Sequence, residues 1–444
     1  MFHIIDRGET MVELLLSVPS AVKVGLIFAG ILVVYRLGVP LGASIIIHAL
    51  VLGLWTGTGA AAIVYELTEL TKPENILLVI VIVLLNYFTE CLTMTGRIER
   101  TITALKSRMT SPRLVYAGLP ALIGLLPMPG GALFSAPLVA SVDHENGLLP
   151  HLKVAINYWF RHIWEYWWPL YPGVVLALKY SGVPTGMFIL IQAPLTLFSL
   201  CAGWLCILRK VPRTVTAGPN RPLDRPAAAA ALVPIGVLVA VSVAGSWIFG
   251  LSGMGRTSAN LVAMLAGLGS ALVLTFRGVP EKIPATLRFF IRASNLQLGL
   301  LVVGILLFSA ALKVDSAQTG ATLISGMRDE LVGLGVPILA VIVLVPCISG
   351  MVTGVAMGFV GASFPLVFAL IGAEPSTGRL AATTTLAYAS GYLGMMLSPL
   401  HLCFVVTSQY FGTRLFGAYR YILGPAAIVA LATAALTAVY YFVL

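Results

Sequence analysis

LVYAGLPALIGLLPMPGGALFSAPLV, residues 114–139, decides how the rest of the chain is read. The apolar run ahead of Pro127, Leu114 to Leu126, is 13 residues long. At about 1.5 Å per helical residue it reaches about 20 Å, short of the roughly 30 Å hydrocarbon core of a bilayer. Pro127-Met128-Pro129-Gly130-Gly131 follows. Two prolines that cannot donate backbone hydrogen bonds and two glycines that tolerate positive φ make a turn there. The segment 114–142 is therefore expected to enter a membrane, turn and leave on the same side as a re-entrant hairpin.

The motif inside this hairpin recurs. Ser135-Ala136-Pro137-Leu138-Val139 is followed, 34 residues after its serine, by Pro169-Leu170-Tyr171. Ser363-Phe364-Pro365-Leu366-Val367 is followed, 36 residues after its serine, by Pro399-Leu400-His401. Paired interruptions of apolar segments in two halves of a chain mark the binding site of a transporter.

Composition fixes the class. Of 444 residues 59% are hydrophobic and 10% charged, and the mean hydropathy is +0.97, whereas soluble domains carry about 25% charged residues. No stretch alternates as a membrane strand would, so the expectation is an all-α polytopic membrane protein. The stretch Met1 to Ser20 carries Asp6, Glu9 and Glu13 with no basic region before an apolar core, and does not read as a cleaved signal peptide. Cys91, Cys201, Cys206, Cys347 and Cys403 sit in apolar runs without metal-ligand spacing and read as small hydrophobes, with no metal site expected. The net charge of +10 falls in short loops between spans, which excludes nucleic acid as a partner.

The first repeat, 1–208, reads as spans near 21–35, 41–64 and 75–92, the hairpin 114–142, a broken helix 152–179 and a last span 185–208. A linker, 209–226, is rich in Pro and Arg. The second repeat, 227–444, reads as spans near 227–250, 258–276 and 289–312, a hairpin 336–371, a broken helix 380–411 and a last span 420–443. That order makes about ten crossings plus two hairpins. Each half then crosses five times, so the halves are inverted relative to each other. Lys and Arg concentrate on the cytoplasmic side of membranes. The Arg97 to Arg113 loop, the linker, the segment with Arg277, Lys282 and Arg288, and Arg414 with Arg420 all fall inside on this reading. The acidic loop of Glu66, Glu69 and Glu74 and both termini fall outside.

Breaking a membrane helix frees backbone groups that must meet protein, water or ligand. Half-helix N-termini favour anions and exposed carbonyls favour cations. Arg161, His162 and Glu165 lie 8, 7 and 4 residues before Pro169. Intramembrane ionisable residues mark pathways. Arg161 is thus a candidate contact for substrate charge, and Glu165 or His401 a candidate coupling group. Alternatively Arg161 and Glu165, spaced i, i+4, form a structural ion pair. His162 reads as an interfacial or packing residue. The tryptophans at 159, 164, 167 and 168 read as packing or interfacial anchoring. The second hairpin turn falls between Ser349 and Gly358, where Gly350, Gly354 and Gly358 serve either close helix packing or ligand contact.

This organisation resembles the ion transporter superfamily, which includes divalent-anion/sodium symporters, gluconate and citrate permeases and sodium/proton antiporters, and within it a prokaryotic branch of integral membrane proteins. The resemblance covers nearly the whole chain and rests on the two repeats, on Pro127 to Gly131 and on Ser135-Ala136-Pro137. It implies a homodimer in the prokaryotic cytoplasmic (inner) membrane, working by an elevator motion without any cofactor beyond a coupling Na+ or H+. Carried over residue by residue, the substrate site would comprise Pro127, Met128, Pro129, Gly130 and Gly131, then Ser349, Gly350, Thr353 and Gly354, with Arg161, Tyr171, Ser398, Pro399 and His401. The paired Ser-Asn-Thr motifs of the divalent-anion symporters are absent from both hairpin turns, so backbone amides would carry more of the binding.

The expected function is secondary active transport of a small anion, an organic acid for example, coupled to protons or sodium. A cation/proton antiporter and a flippase for an anionic lipid carrier are the alternatives. An enzyme is not expected: His144-Glu145 opens like a zinc-protease motif, but Leu148 stands where the second histidine belongs.

Overall fold

Proline and glycine place the helix ends. Pro73, Pro112, Pro150 and Pro172 each occupy the first helical position, where a missing N–H costs nothing. Gly182 and Gly354 close helices with φ of 64° and 63°, left-handed values that glycine adopts without strain. A computed structural model describes residues 13–106, 111–126, 131–143, 147–212, 224–372 and 375–444. Pro127, Met128, Pro129 and Gly130 of the first hairpin turn, His144 and Glu145, and linker residues 213–223 lie outside the described residues.

The described residues form twenty α-helices and no strand, as a helical membrane chain requires. In the first half these are α1 (Ser20–Arg36), α2 (Leu41–Gly53), α3 (Ala60–Leu70), α4 (Pro73–Met94), α5 (Arg97–Lys106), α6 (Pro112–Gly124), α7 (Ala132–Ala140), α8 (Pro150–Arg161), α9 (Pro172–Ser181) and α10 (Thr185–Cys206). In the second they are α11 (Arg225–Leu251), α12 (Arg256–Phe276), α13 (Ile283–Leu287), α14 (Ala293–Ala311), α15 (Leu323–Gly333), α16 (Ile338–Thr353), α17 (Ala356–Leu370), α18 (Thr377–Met396), α19 (Leu402–Tyr410) and α20 (Leu415–Val443).

Among the described residues six stretches are long and apolar enough to cross a bilayer: Leu41–Thr58, Pro73–Met94, Thr185–Lys210, Arg225–Leu251, Arg256–Phe276 and Leu415–Val443. Two bent pairs raise the number to eight, one of them α15 with α16 at 119°. The outer surface is apolar, with Trp247, Val273, Phe416 and Phe442 each at least 70% exposed, as lipid-facing side chains are. The chain is a multi-pass helical membrane protein.

One expected span is interrupted. The apolar run 41–64 leaves the α conformation after Gly53, passes through a π turn, Leu54–Thr58, with Gly57 at φ 84°, and restarts as α3 after Gly59 at φ 60°. Hydropathy does not register such a break, because the glycines that make it are themselves tolerated in apolar runs. The second hairpin turn falls at Gly354 and Val355, between α16 and α17.

Helix packing interleaves the two halves. The hairpin arm α7 packs on α19, and the hairpin arm α17 packs on α9. Likewise α8 packs on α20 and α18 on α10, while α4 packs on α12 and α2 on α14. Arg97 ties the halves together at one end: Nε donates to Thr275 O at 2.9 Å, Nη1 to Ala230 O at 3.0 Å, and Nη2 to Leu274 O and Arg277 O at 3.1 and 3.2 Å. Leu274, Thr275 and Arg277 end α12, where carbonyls lack helical donors and a cation is favourable, and Ala230 O in α11 loses its donor because Pro234, four residues on, has no N–H. Lys282 Nζ donates to Met94 O at the same end. The other ends of α4 and α12 open on a cavity of about 1000 Å³ lined by Glu69, Lys72, Asn75, Lys179, Arg256 and Lys313. The 22 residues of α4 separate these ends by about 33 Å, the thickness of a bilayer core. Beside that cavity Glu69 pairs with Lys72 at 2.6 Å, which holds the Lys72 ammonium above the usual lysine pKa.

Candidate functional site

Helix α8 stops at Arg161 because the next amide bonds back only three residues, His162 N to Trp159 O at 3.2 Å. That shift frees the Tyr158 carbonyl, and His162 Nδ1 donates to it at 2.6 Å. Residues 162–171 then run without α-helix until Pro172 starts α9. Buried backbone carbonyls in such a stretch need donors. Tyr392 supplies one to His162 O at 3.0 Å, Thr196 one to Ile163 O at 2.6 Å, and Tyr388 one to Glu165 O at 2.7 Å.

The break also secures the first hairpin. At the end of α6, Trp164 Nε1 donates to Ala121 O at 2.8 Å, Trp168 Nε1 to Leu125 O at 2.9 Å, and the Tyr171 hydroxyl to Gly124 O. Trp159 Nε1 reaches Ser199 O, and Trp167 Nε1 reaches Thr196 Oγ1. Trp164 and Trp168 therefore hold the break to its hairpin, Trp159 and Trp167 hold it to α10, and each indole N–H is used inside the protein.

The second break follows the same logic. Helix α18 stops at Met396, whose carbonyl accepts from the Tyr158 hydroxyl at 3.0 Å, and Leu397 O accepts from Tyr419 at 2.9 Å. Ser398 Oγ donates to Met351 O of the second hairpin at 2.6 Å and accepts from Leu400 N at 3.1 Å. Pro399 is exposed and His401 buried. Both hairpins close on the breaks. At Gly354 a Cβ would press on His401 N, and at Gly131 it would occupy the space of the Arg161 guanidinium. Gly124 likewise leaves room for Arg161 O.

Between the two breaks the ionisable side chains converge. His162 Nε2 faces His401 Nε2 at 3.1 Å and Glu165 Oε1 at 3.8 Å. The two imidazoles meet edge to face with centroids 4.8 Å apart, and Tyr158 lies edge-on to both. Cys403, in the first turn of α19, places its thiol with His162 and His401 so that all three ligand atoms lie within 4.8 Å of one another. Arg161, His162, Glu165 and His401 are 3%, 1%, 8% and 6% exposed, so any charge here is held by protein rather than water.

Of the site residues expected from sequence, Gly131, Arg161, Glu165, Gly354 and His401 meet here, and Pro127 to Gly130 lie outside the described residues. Tyr171 and Ser398 are occupied in holding hairpins to breaks. Thr353 Oγ1 donates to Ser349 O at 2.7 Å, and Gly350 packs on the Gly391 carbonyl of α18. Ser349 Oγ is buried with no hydrogen-bond partner among the described residues. Because α8 ends at Arg161, Arg161 and Glu165 do not share a helix face: Glu165 lies by His162, and Arg161 lies against Gly131. His162 and Cys403, read from sequence as packing residues, are at the centre. His401-Leu402-Cys403 was the available signal, two ligand-type side chains in one turn, but it needed His162 from the other half to become a site.

Two broken helices and two hairpins around a buried ionisable cluster define the class, a multi-pass membrane protein with a buried polar centre. The chain belongs to the family described as Protein of unknown function (DUF401), which it matches over residues 21–444. No curated protein matches it.

Proposed function

We propose that the protein is a secondary active transporter of a small anion, an organic acid being the leading class, coupled to protons or sodium. The observation that carries this is the convergence of two helix breaks and two hairpins on Arg161, His162, Glu165 and His401. The exchanged packing supports two inverted repeats, since α7 on α19 with α17 on α9, and α8 on α20 with α18 on α10, are the pairs that a two-fold axis in the membrane plane would generate. The Arg97, Arg277 and Lys282 end is then cytoplasmic, and the 1000 Å³ cavity faces outward. Lys179, on the cavity wall, stands seven residues along α9 from Pro172, about 10 Å from the break. Its ammonium, with those of Lys72 and Lys313 and the Arg256 guanidinium, gives the cavity an excess of positive charge for gathering anions. The ion transporter superfamily is the family relationship this organisation fits.

The test is thermal denaturation of the purified protein with small carboxylates, phosphate and sulfate, each with and without sodium and at two pH values. A ligand at about 100 times its dissociation constant stabilises the fold by about 2.7 kcal/mol. An anion-specific rise in Tm that Arg161→Lys removes is the expected result, and no response to any anion overturns the reading. A response to cation or pH alone favours the cation/proton antiporter, for which the observation is the carboxylate of Glu165 beside two facing imidazoles.

A further inference from the structure

His162 and His401 present the same kind of nitrogen to each other. The Nδ1–H of His162 is committed to the Tyr158 carbonyl, so in the neutral ring its Nε2 carries a bare lone pair, and that lone pair points at Nε2 of His401 3.1 Å away. With His162 Nε2 as the acceptor, what lies between the two nitrogens is positive in either case, a proton on His401 Nε2 or a metal ion that replaces it. The remaining groups around the same point are Cys403 and Glu165, a soft sulfur and a carboxylate. His401 Nδ1, 94% of whose residue surface is buried, has no hydrogen-bond partner among the described residues, which marks a ring not yet fixed by protein contacts alone.

We propose that His162, His401, Cys403 and Glu165 bind a divalent transition-metal ion of the zinc class. The donor set is two imidazoles, one thiolate and one carboxylate, the nitrogen, sulfur and oxygen ligands that zinc takes in tetrahedral sites. With bonds of about 2.0 Å to nitrogen and 2.3 Å to sulfur, a tetrahedral ion sets ligand atoms about 3.3 to 3.6 Å apart. The His162–His401 separation of 3.1 Å and the His162–Glu165 separation of 3.8 Å bracket that range. The three atoms of the histidine and cysteine side chains, all within 4.8 Å, need only side-chain adjustment to close on an ion. The Tyr158 carbonyl that accepts from His162 Nδ1 is the outer-shell partner that metal-bound histidines use to fix their tautomer. Thiolate and carboxylate together neutralise a divalent ion, as a site this far from water requires.

The ion ties the first break, through His162 and Glu165, to the first turn of α19, through His401 and Cys403, so it clamps one half of the chain to the other. The proposal takes from the transport reading only the meeting of the two breaks, and it is tested by metal binding rather than uptake.

The experiment is a Co2+ titration of the chelator-stripped, detergent-purified full chain, read by absorbance. One Co2+ per chain with a thiolate-to-cobalt charge-transfer band and the visible bands of a tetrahedral ion is expected, with Zn2+ displacing it. Cys403→Ser should remove the charge-transfer band, His401→Ala should weaken binding by at least about 10-fold, and Cys201→Ser, at an exposed cysteine outside the cluster, should change neither. No saturable Co2+ site, or a charge-transfer band that survives Cys403→Ser, overturns the proposal. X-ray absorption at the zinc edge of the wild-type protein needs no variant: one sulfur among nitrogen and oxygen neighbours supports the site, and a shell without sulfur refutes it. Anion binding lost while the metal site persists would refute the transport reading alone.

Discussion

His162 and His401 stand Nε2 to Nε2 at 3.1 Å although 239 residues separate them along the chain. The pair couples two helix breaks that also meet through Tyr158 on the Met396 carbonyl and through Tyr388 and Tyr392 on the carbonyls of Glu165 and His162. Residues in direct contact deviate from additivity by about 0.5 to 3 kcal/mol. His162→Ala, His401→Ala and the double variant should show a coupling of that size in unfolding measured in detergent. Additive losses would mean that the rings do not interact.

Arg161→Lys keeps the charge but loses the planar fork that grips an anion. It should elute and denature like wild type while losing the anion-induced rise in Tm. A variant that fails to assemble would instead make Arg161 a structural residue.

Gly131→Ala places a methyl where the Arg161 guanidinium lies, and Gly354→Ala forces a side chain onto a left-handed residue beside His401 N. The second should cost about 1 to 2 kcal/mol from backbone strain alone, and both should abolish ligand-induced stabilisation. Gly269→Ala is the contrast: a Cβ there meets nothing within 4 Å in the middle of α12, so stability should stay level or rise by up to about 1 kcal/mol. Equal effects at all three positions would dissociate the hairpin glycines from the site.

Tyr388→Phe removes the donor to the Glu165 carbonyl, and Trp168→Phe the donor to the Leu125 carbonyl. A buried carbonyl without a partner costs about 1 to 3 kcal/mol. Unfolding free energies should fall by that amount while net charge stays constant, and an unchanged value would show that the carbonyl is satisfied otherwise.

Arg97→Lys exchanges a fork that reaches four carbonyls for a single ammonium. Loss of about 1.5 to 3 kcal/mol is expected from hydrogen bonds to a charged group. A fully stable Arg97→Lys would remove this residue as the tie between α5, α11 and α12.

Much of the helical layout was readable because it is written locally. Pro112, Pro150 and Pro172 start helices wherever they occur, and the 13-residue run before Pro127 is too short to span in any context. The break at Gly57 and Gly59 was not readable, since nothing in an apolar run with two glycines tells a π turn from a continuing helix. Gly350, Gly354 and Gly358 are equivalent as letters. Only their surroundings separate a packing contact on Gly391, a left-handed turn beside His401 and a close approach to Thr353. The centre was half legible. Arg161, Glu165 and His401 draw notice as charge or imidazole in apolar sequence, but His162 and Cys403 acquire meaning only from a contact made across both halves.

The side-chain donors have a final consequence. Because Tyr392, Thr196 and Tyr388 already satisfy the carbonyls of His162, Ile163 and Glu165, and Tyr419 that of Leu397, the unwound segments are held by protein donors. On the transport proposal, a site held this way is built before its solute arrives, so binding would not have to supply the free energy of unwinding a helix.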